Sequence, residues 1–519
     1  MTTGSDGDAG AVRDDPTGRA ARLCSLARER WDLVVVGGGI TGAAVLHEAT
    51  RRGLRSALVE REDFAAGTSS GSSKMLHGGL RYLAYGKVRL VRTSVHERDR
   101  LLSELGSAAV PTRLVVPLPK ALGGRLLLRG GTWLYTAFSS GPPLGVRRRL
   151  STDELARAVP GLDVREFRGA VEVGEAVVDD AGLVFRRLRS AEAAGAVVVN
   201  RLAATSAAAT GAGRVELELS DRRAGRELRV VASRAVNAAG IWASSWGGTT
   251  GIPALRFSRG IHLVFARSSW PVVSGVVLPT PDHRWVFVLP YGAFVLVGTT
   301  DVEEPGVPAD VHVHAEDVRY LWRVLRNAFP RLPVGPNDVV DAYAGVRALW
   351  GDASKPVSAV ARDEMIARGP GPMWTIVGGK LTTHRAMARR LLDAMGVPDR
   401  PAELLRPTKS APLGPGEGPS PVPGAELLYR WTPDDAAASR ALAELVSTAV
   451  RTTQPVSLGD LIDRRFHALH RLSPGFADVA SCVADAAAAA LGWSDETRRH
   501  ELDAVRADIA RSTRGVREA

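Results

Sequence analysis

Cysteine is almost absent: Cys24 and Cys482 are the only two in 519 residues. That excludes a disulfide-stapled scaffold and a cysteine-built metal cluster, and it suits a reducing, cytoplasmic compartment. No metal site is expected. A run of about 20 predominantly apolar residues, the length a membrane-crossing helix needs, is also missing. The uncharged stretch Ala235–Leu255 is long enough, but Asn, Ser, Thr, Gly and Pro253 break it. The first 30 residues carry Asp6, Asp8, Asp14 and Asp15 and no apolar core, so they do not read as a signal peptide. They read as a disordered tail ending in a short basic helix. No dense basic stripe with interleaved aromatics occurs, which argues against nucleic acid as a partner. No internal repeat is visible.

What remains is an ordinary globular balance, 45% hydrophobic and 24% charged. At about 150 residues per domain the length suggests about three domains, or two with large insertions. Lys and Arg number 67 against 56 Asp and Glu, a net +11, an excess that favours an anionic substrate or an acidic membrane surface. Asp32–Val36 is a short apolar run before glycines, as in a buried strand; a helix should follow over Ile40–Arg52, then a second buried strand over Ser56–Glu60. This is a β-α-β unit. Strands are expected at Val197–Val199, Val215–Leu219, Leu228–Val231 and Ala235–Ala239. Gly260–Thr300 is strand-rich and should form a separate antiparallel sheet. Pro407–Gly424 holds six prolines and four glycines and reads as a linker, with a helical region beyond it.

Gly37, Gly39 and Gly42 form G-x-G-x-x-G between the predicted strand and helix, and Glu60 ends the next strand. That context completes a dinucleotide fingerprint. Gly37 permits the tight turn, Gly39 lets a pyrophosphate approach the backbone at the helix N-terminus, and Gly42 lets helix and strand pack closely. Glu60 would accept hydrogen bonds from ribose hydroxyls.

The run Phe64-Ala-Ala-Gly-Thr-Ser-Ser-Gly-Ser-Ser-Lys-Met-Leu-His-Gly-Gly-Leu-Arg-Tyr-Leu83 resembles the signature of the FAD-dependent, quinone-linked glycerol-3-phosphate dehydrogenases. Further pieces follow in order: Val178-Asp-Asp-Ala181, Asn237-Ala-Ala-Gly240 before Trp242, Gly298-Thr-Thr-Asp-Val-Glu303, Tyr343-Ala-Gly-Val-Arg347 and Gly378-Gly-Lys-Leu-Thr-Thr383. The likeness runs from about Trp31 to Arg390. Three positions depart from the family pattern: Gly71 stands where Arg or Ala is common, Ala348 where Pro follows G-V-R, and His384 where Tyr follows G-K-L-T-T.

The resemblance implies an α/β fold. A Rossmann-like FAD domain would be assembled from 31–252 and 334–406, with an antiparallel substrate or cap domain mainly over 253–333 and a helical region over 425–519. It implies that Ser69, Ser73, Lys74, His77, Gly79 and Gly240 contact FAD. Gly379, Lys380, Leu381 and Thr382 would form a second flavin turn. Arg81, Tyr82, Arg347 and Lys380 would bind substrate, since a phosphate dianion suits planar cationic donors. His262 would accept the hydroxyl proton as a neutral imidazole. The implied reaction is oxidation of sn-glycerol 3-phosphate to dihydroxyacetone phosphate, with electrons passed to a membrane quinone. The implied setting is the cytoplasm, with peripheral attachment to an anionic surface on the inner face of the cell membrane; a homodimer is left open. Another phosphorylated polyol, an amine, or a flavin-binding but non-catalytic role also fits these residues.

Overall fold

The strand Leu33–Val36 is buried at every residue, which is why its sequence is an unbroken apolar run instead of an alternation. It lies at the centre of a six-stranded sheet, between Ser56–Val59 and Ala235–Asn237, parallel to both. Beyond Ser56–Val59 lies Val197–Val199; beyond Ala235–Asn237 lies Met373–Gly378, closed at the edge by antiparallel Glu364–Arg368. The structure is a computed structural model that describes residues 18–139, 141, 144, 147–245, 253–282, 284–308, 310–351, 363–399, 428, 431–432 and 434–519. The expected linker over 407–424 lies outside the described residues.

Helices Ile40–Arg51, Asp180–Ala193 and His384–Ala394 pack on one face of this sheet and share a core with it through Leu46, Leu58, Leu188 and Leu391. The other face is covered by a meander of Leu202–Ala209, Val215–Asp221 and Arg226–Ala232. The basic helix at the end of the expected tail is present over Arg19–Arg28, but it is not free. Leu26 is fully buried in that same core, and the buried Arg19 guanidinium pairs with Asp221 at 2.8 Å. Residues 18–30 therefore belong to the fold. Their short, charge-rich sequence hides this because the burial rests on one leucine and one ion pair.

The second sheet is larger than expected. Besides Leu255–Ala266, Gly275–Pro279, Trp285–Tyr291 and Phe294–Gly298, it takes in Ala109–Pro119, Phe167–Val178 and Val339–Trp350. The cap is thus not mainly 253–333, and much of 109–178 belongs to it. Pairings between strands so far apart in sequence leave no local signal, and strands such as Phe167–Val178, buried along nearly their whole length, show no alternation to assign a face. The C-terminal helices Ala436–Thr453, Phe476–Leu491 and Asp495–Ser512 enclose a core of their own, joined by a π-helical turn at Asp460–Arg465.

The first turn of helix Ile40–Arg51 touches the strand end directly. A Cβ on Gly42 would lie 1.9 Å from the Gly37 carbonyl oxygen, and Gly37 itself has φ +110°. Gly42→Ala should therefore force the helix off the turn and lower apoprotein stability by about 1–3 kcal/mol, as overpacking does. Urea unfolding measures this, and an unchanged midpoint would show that the contact tolerates a methyl group.

Candidate active site

A cleft of about 830 Å³ opens where the carboxyl ends of the parallel strands meet the second sheet. This is where open α/β sheets place ligands. At one end, Gly37 and Gly39 form its floor, and Glu60 stands beside them. Helix Ile40–Arg51 begins at Gly39 with no side-chain cap of its own; the Ile40 amide donates instead to Ser69 Oγ at 2.9 Å. The Glu60 carboxylate accepts from the Gly38 amide at 2.6 Å and the Glu62 amide at 2.7 Å. Burial pushes this carboxyl up from its ordinary value, while those two amides pull it down. Gly240 and Trp242 line the facing wall, and Arg61 lies 4.4 Å over the Trp242 ring.

The serine-rich loop crosses the middle of the cleft, where Ser73, His77 and Gly79 line it. The His77 amide donates to Thr382 Oγ1 at 3.1 Å, tying this loop to the turn Gly379–Thr382, whose residues also line the cleft. Behind that turn His384 is fully buried. Its Nδ1 donates to the Leu381 carbonyl at 2.7 Å, and its Nε2 accepts from Arg187 Nε at 3.1 Å. Burial first, then the Arg187 charge, lowers its pKa to about 3, so the ring is a neutral Nδ1–H tautomer that props the turn from below.

Arg81, Tyr82, Arg347 and Lys380 also line the cleft. The Lys380 ammonium lies 3.8 Å over the Tyr82 ring, and Arg81 lies 5.8 Å from the same ring. Arg347 is held by Thr299 Oγ1 at 3.0 Å and Ser258 Oγ at 3.3 Å, with Asp301 at 3.5 Å. Sequence reasoning missed Thr299 and Asp301 as the supports of Arg347, although both sit in the quoted Gly298–Glu303 motif. It also missed Arg284 and Arg511, which line the cleft. Nothing in their local sequence distinguishes them from surface arginines.

Three expected site residues do not line the cleft. Gly42 lies behind the turn, where its role is the packing described above. The Lys74 side chain is 1% exposed and turned inward, with its ammonium 2.8 Å from the fully buried Asp180 and 3.0 Å from the Ser70 carbonyl. A buried ammonium needs that carboxylate, so it is not a free donor to a cofactor. His262 is 2% exposed and stacks on Tyr343, with ring centres 4.9 Å apart. Its Nε2 is 2.9 Å from Ser73 Oγ, so Ser73 stands between it and the cleft. Burial first, then the charges of Arg347 and Lys74, brings its pKa down to about 3.

The cleft suits a dinucleotide on its own geometry. It has a side-chain-free turn at a helix N-terminus, a carboxylate on the next strand, a hydroxyl-rich loop, and a second backbone turn. Comparison with known proteins agrees. The family described as FAD dependent oxidoreductase matches residues 32–394. Glycerol-3-phosphate dehydrogenase 1 of Mycobacterium tuberculosis is 34% identical over 474 residues, 85% of this chain and 88% of that protein. D-erythritol 1-phosphate dehydrogenase of Brucella abortus is 34% identical over 371 residues, 70% and 73% of the two chains. The structure of glycerol-3-phosphate dehydrogenase from Bacillus halodurans complexed with FAD superposes with a TM-score of 0.72 at 22% identity, covering 96% of this chain and 98% of that one. With its fold, its cleft and these relatives in agreement, the chain belongs to the FAD-dependent oxidoreductases and, among them, to the glycerol-3-phosphate dehydrogenase family.

Proposed function

We propose that this enzyme oxidises sn-glycerol 3-phosphate to dihydroxyacetone phosphate and delivers the electrons to a membrane quinone. The observation that supports the substrate reading is that Arg81, Arg347 and Lys380 all line the cleft that holds the phosphate turn and the Gly379–Thr382 turn. FAD, when bound, supplies the two-electron acceptor. Gly37, Gly39, Ser69 and Glu60 would hold its diphosphate and ribose, and the Gly379–Thr382 turn its ring end. Arg347, already fixed by Thr299 and Ser258, and Arg81, which has no hydrogen-bond partner among the described residues, bind the phosphate. Ser73 Oγ and the neutral His262 behind it form the pair that takes the hydroxyl proton. His262 acts through Ser73 and does not touch the substrate. The cations nearby favour a developing alkoxide.

A longer polyol phosphate is the second reading, favoured by the Brucella relative named D-erythritol 1-phosphate dehydrogenase. Anaerobic mixing separates the two: glycerol 3-phosphate should bleach the flavin band promptly, and bleaching by erythritol 1-phosphate alone would overturn the first reading.

No helix among the described residues is long and apolar enough to cross a membrane, so a quinone must be met at the surface. One face is suited to that. Helix Leu122–Ala137 exposes Leu122, Leu126, Leu127 and Trp133 by 57–64%, and Tyr85 and Val88 lie on the segment it packs against. Arg125, Arg129 and Arg149 are on or beside this helix. Burial, then the charges of Arg149 and Arg129, lowers the pKa of Arg147. Exposed apolar side chains with arginines on or beside the same helix match an anionic bilayer surface.

Arg347→Ala should lower kcat/KM for glycerol 3-phosphate more than tenfold, because losing one charged partner of a desolvated anion costs about 2–5 kcal/mol. Glycerol itself should be a poor substrate for both forms, and an unchanged kcat/KM would remove Arg347 from the site. With its imidazole neutral above about pH 3, His262 should impose no inflection on the pH profile of kcat/KM between 5 and 8. An acid limb centred near 6.5 that disappears in His262→Asn would show that this ring titrates normally. Finally, the protein should sediment with anionic liposomes at low salt and be released as salt screens the contact. Trp133→Ser with Leu127→Ser should abolish this binding, and equal sedimentation of the double variant would place the contact elsewhere.

A further inference from the structure

The loop that follows the central β-α-β unit is gripped from outside the FAD-binding fold. Asp63 is 1% exposed, three residues past Glu60. Its carboxylate accepts from Arg465 Nη2 at 2.8 Å and Arg464 Nε at 2.6 Å, both from the C-terminal helical region, and from Asn200 at 3.2 Å. Arg465 is fully buried; it also donates to the Thr453 carbonyl at 2.6 Å and lies 4.4 Å over the Phe185 ring. A second tie runs through Arg201, which bridges Glu62 at 3.0 Å and Asp460 at 2.8 Å. Burial alone would raise the Asp460 carboxyl, yet Arg464, Arg201 and Arg465 hold it well below its ordinary range, so it stays charged.

The gripped loop is the wall of the cofactor cradle. Phe64 packs so close to the phosphate turn that a Cβ on Gly38 would lie 2.8 Å from its ring, and the Ala65 amide donates to the Gly38 carbonyl at 3.0 Å. Phe64 meets Phe185 edge to face at 6.3 Å, the same ring that Arg465 covers. Glu60, Arg61 and Glu62 line the cleft themselves. Arg465 therefore stands behind both the ribose-binding and the phosphate-binding backbone while touching neither.

We propose that the C-terminal helical region is part of the FAD-retention apparatus, with Arg465 and Arg201 as positioning residues that clamp the Glu60–Ala65 loop against the Gly37–Gly39 turn. Cofactor affinity is then set partly by residues some 400 positions along the chain from the fingerprint, and loss or undocking of this region releases FAD.

The test titrates FAD into apoprotein of the full chain and follows quenching of flavin fluorescence, with circular dichroism reporting apoprotein melting. Arg465→Met removes the fork from Asp63, and Arg201→Gln breaks the less deeply buried bridge and should fold even if the first does not. Each should raise the FAD dissociation constant at least tenfold at a temperature where the apoprotein is folded, and Arg465→Lys should recover part of the loss. The control is Arg471→Met. It breaks another buried ion pair of the C-terminal region, to Asp341 of the second sheet at 2.9 Å; its 3.4 Å contact with Asp463 reaches the Asp460–Arg465 turn but not the Glu60–Ala65 loop. It should lower the melting temperature yet leave FAD binding within twofold. Equal weakening of FAD binding in Arg471→Met and Arg201→Gln would show that only global stability is being read. Unchanged FAD affinity in a folded Arg201→Gln or Arg465→Met protein would overturn the clamp.

Discussion

Backbone meets backbone at two points beside the cleft, with no room for a side chain between, and the phosphate turn and the serine-rich loop are placed by these contacts. The first is the Gly37–Gly42 contact at the phosphate turn. A Cβ on Gly37 would lie 2.6 Å from the Ala238 carbonyl oxygen, so this turn also sets its distance from the neighbouring strand. The second joins the two sheets. A Cβ on Gly71 would lie 2.7 Å from the Ala344 oxygen, and one on Gly345 only 2.3 Å from the Gly71 oxygen. The serine-rich loop is thereby pressed against the strand that carries Arg347 two residues later. The glycine at 71, where the family often has Arg or Ala, is what this close approach demands.

Charge inside the cleft is arranged by pairing. Lys74 neutralises Asp180, which in turn accepts from the Ser72 hydroxyl and so fixes the serine loop at its centre. Arg347 has the oxygens of Thr299, Ser258 and Asp301 as partners, which orient its guanidinium. An isolated buried charge would neutralise itself instead. His262 and His384 show the complementary case. Each has cations nearby and little exposure, and each ring is held neutral at rest.

The glycine fingerprint, Glu60 and the motif residues along the cleft were legible because their chemistry is local: a turn, a cap or an acidic strand end needs only neighbours in sequence. The strands around Val34, Val198 and Val236 were legible for the same reason, as short apolar runs. The burial of the Lys74 and His262 side chains was not legible, because a motif places a residue near a site without saying which way its side chain turns. That is decided by Asp180 and Tyr343, about 80 or more positions away. The extent of the second sheet was hidden likewise, since the pairing of Ala109–Pro119 with Phe167–Val178 has no sequence signature. Even Thr299 and Asp301 were in view as letters of a motif, but their task of holding Arg347 exists only after Leu255–Ala266 brings the strands together.

The helix that exposes Leu126 and Trp133 is mechanically joined to the cleft. Tyr135, on its inner side and 1% exposed, accepts from the Gly78 amide at 2.8 Å and donates to Glu175, a residue of the cleft wall; Arg98 reaches the same phenol at 3.2 Å. Burial first, then the Glu175 charge, raises the Tyr135 pKa well above its ordinary value, so the hydroxyl keeps its proton and both bonds persist. Gly78 stands one residue from Gly79 and three from Arg81. A buried amide stripped of its acceptor costs about 1–3 kcal/mol, so the Gly78–Tyr135 bond holds the loop to this helix. The helix that exposes Leu126 and Trp133 and the backbone leading to Arg81 thus share one buried contact, the Gly78–Tyr135 hydrogen bond.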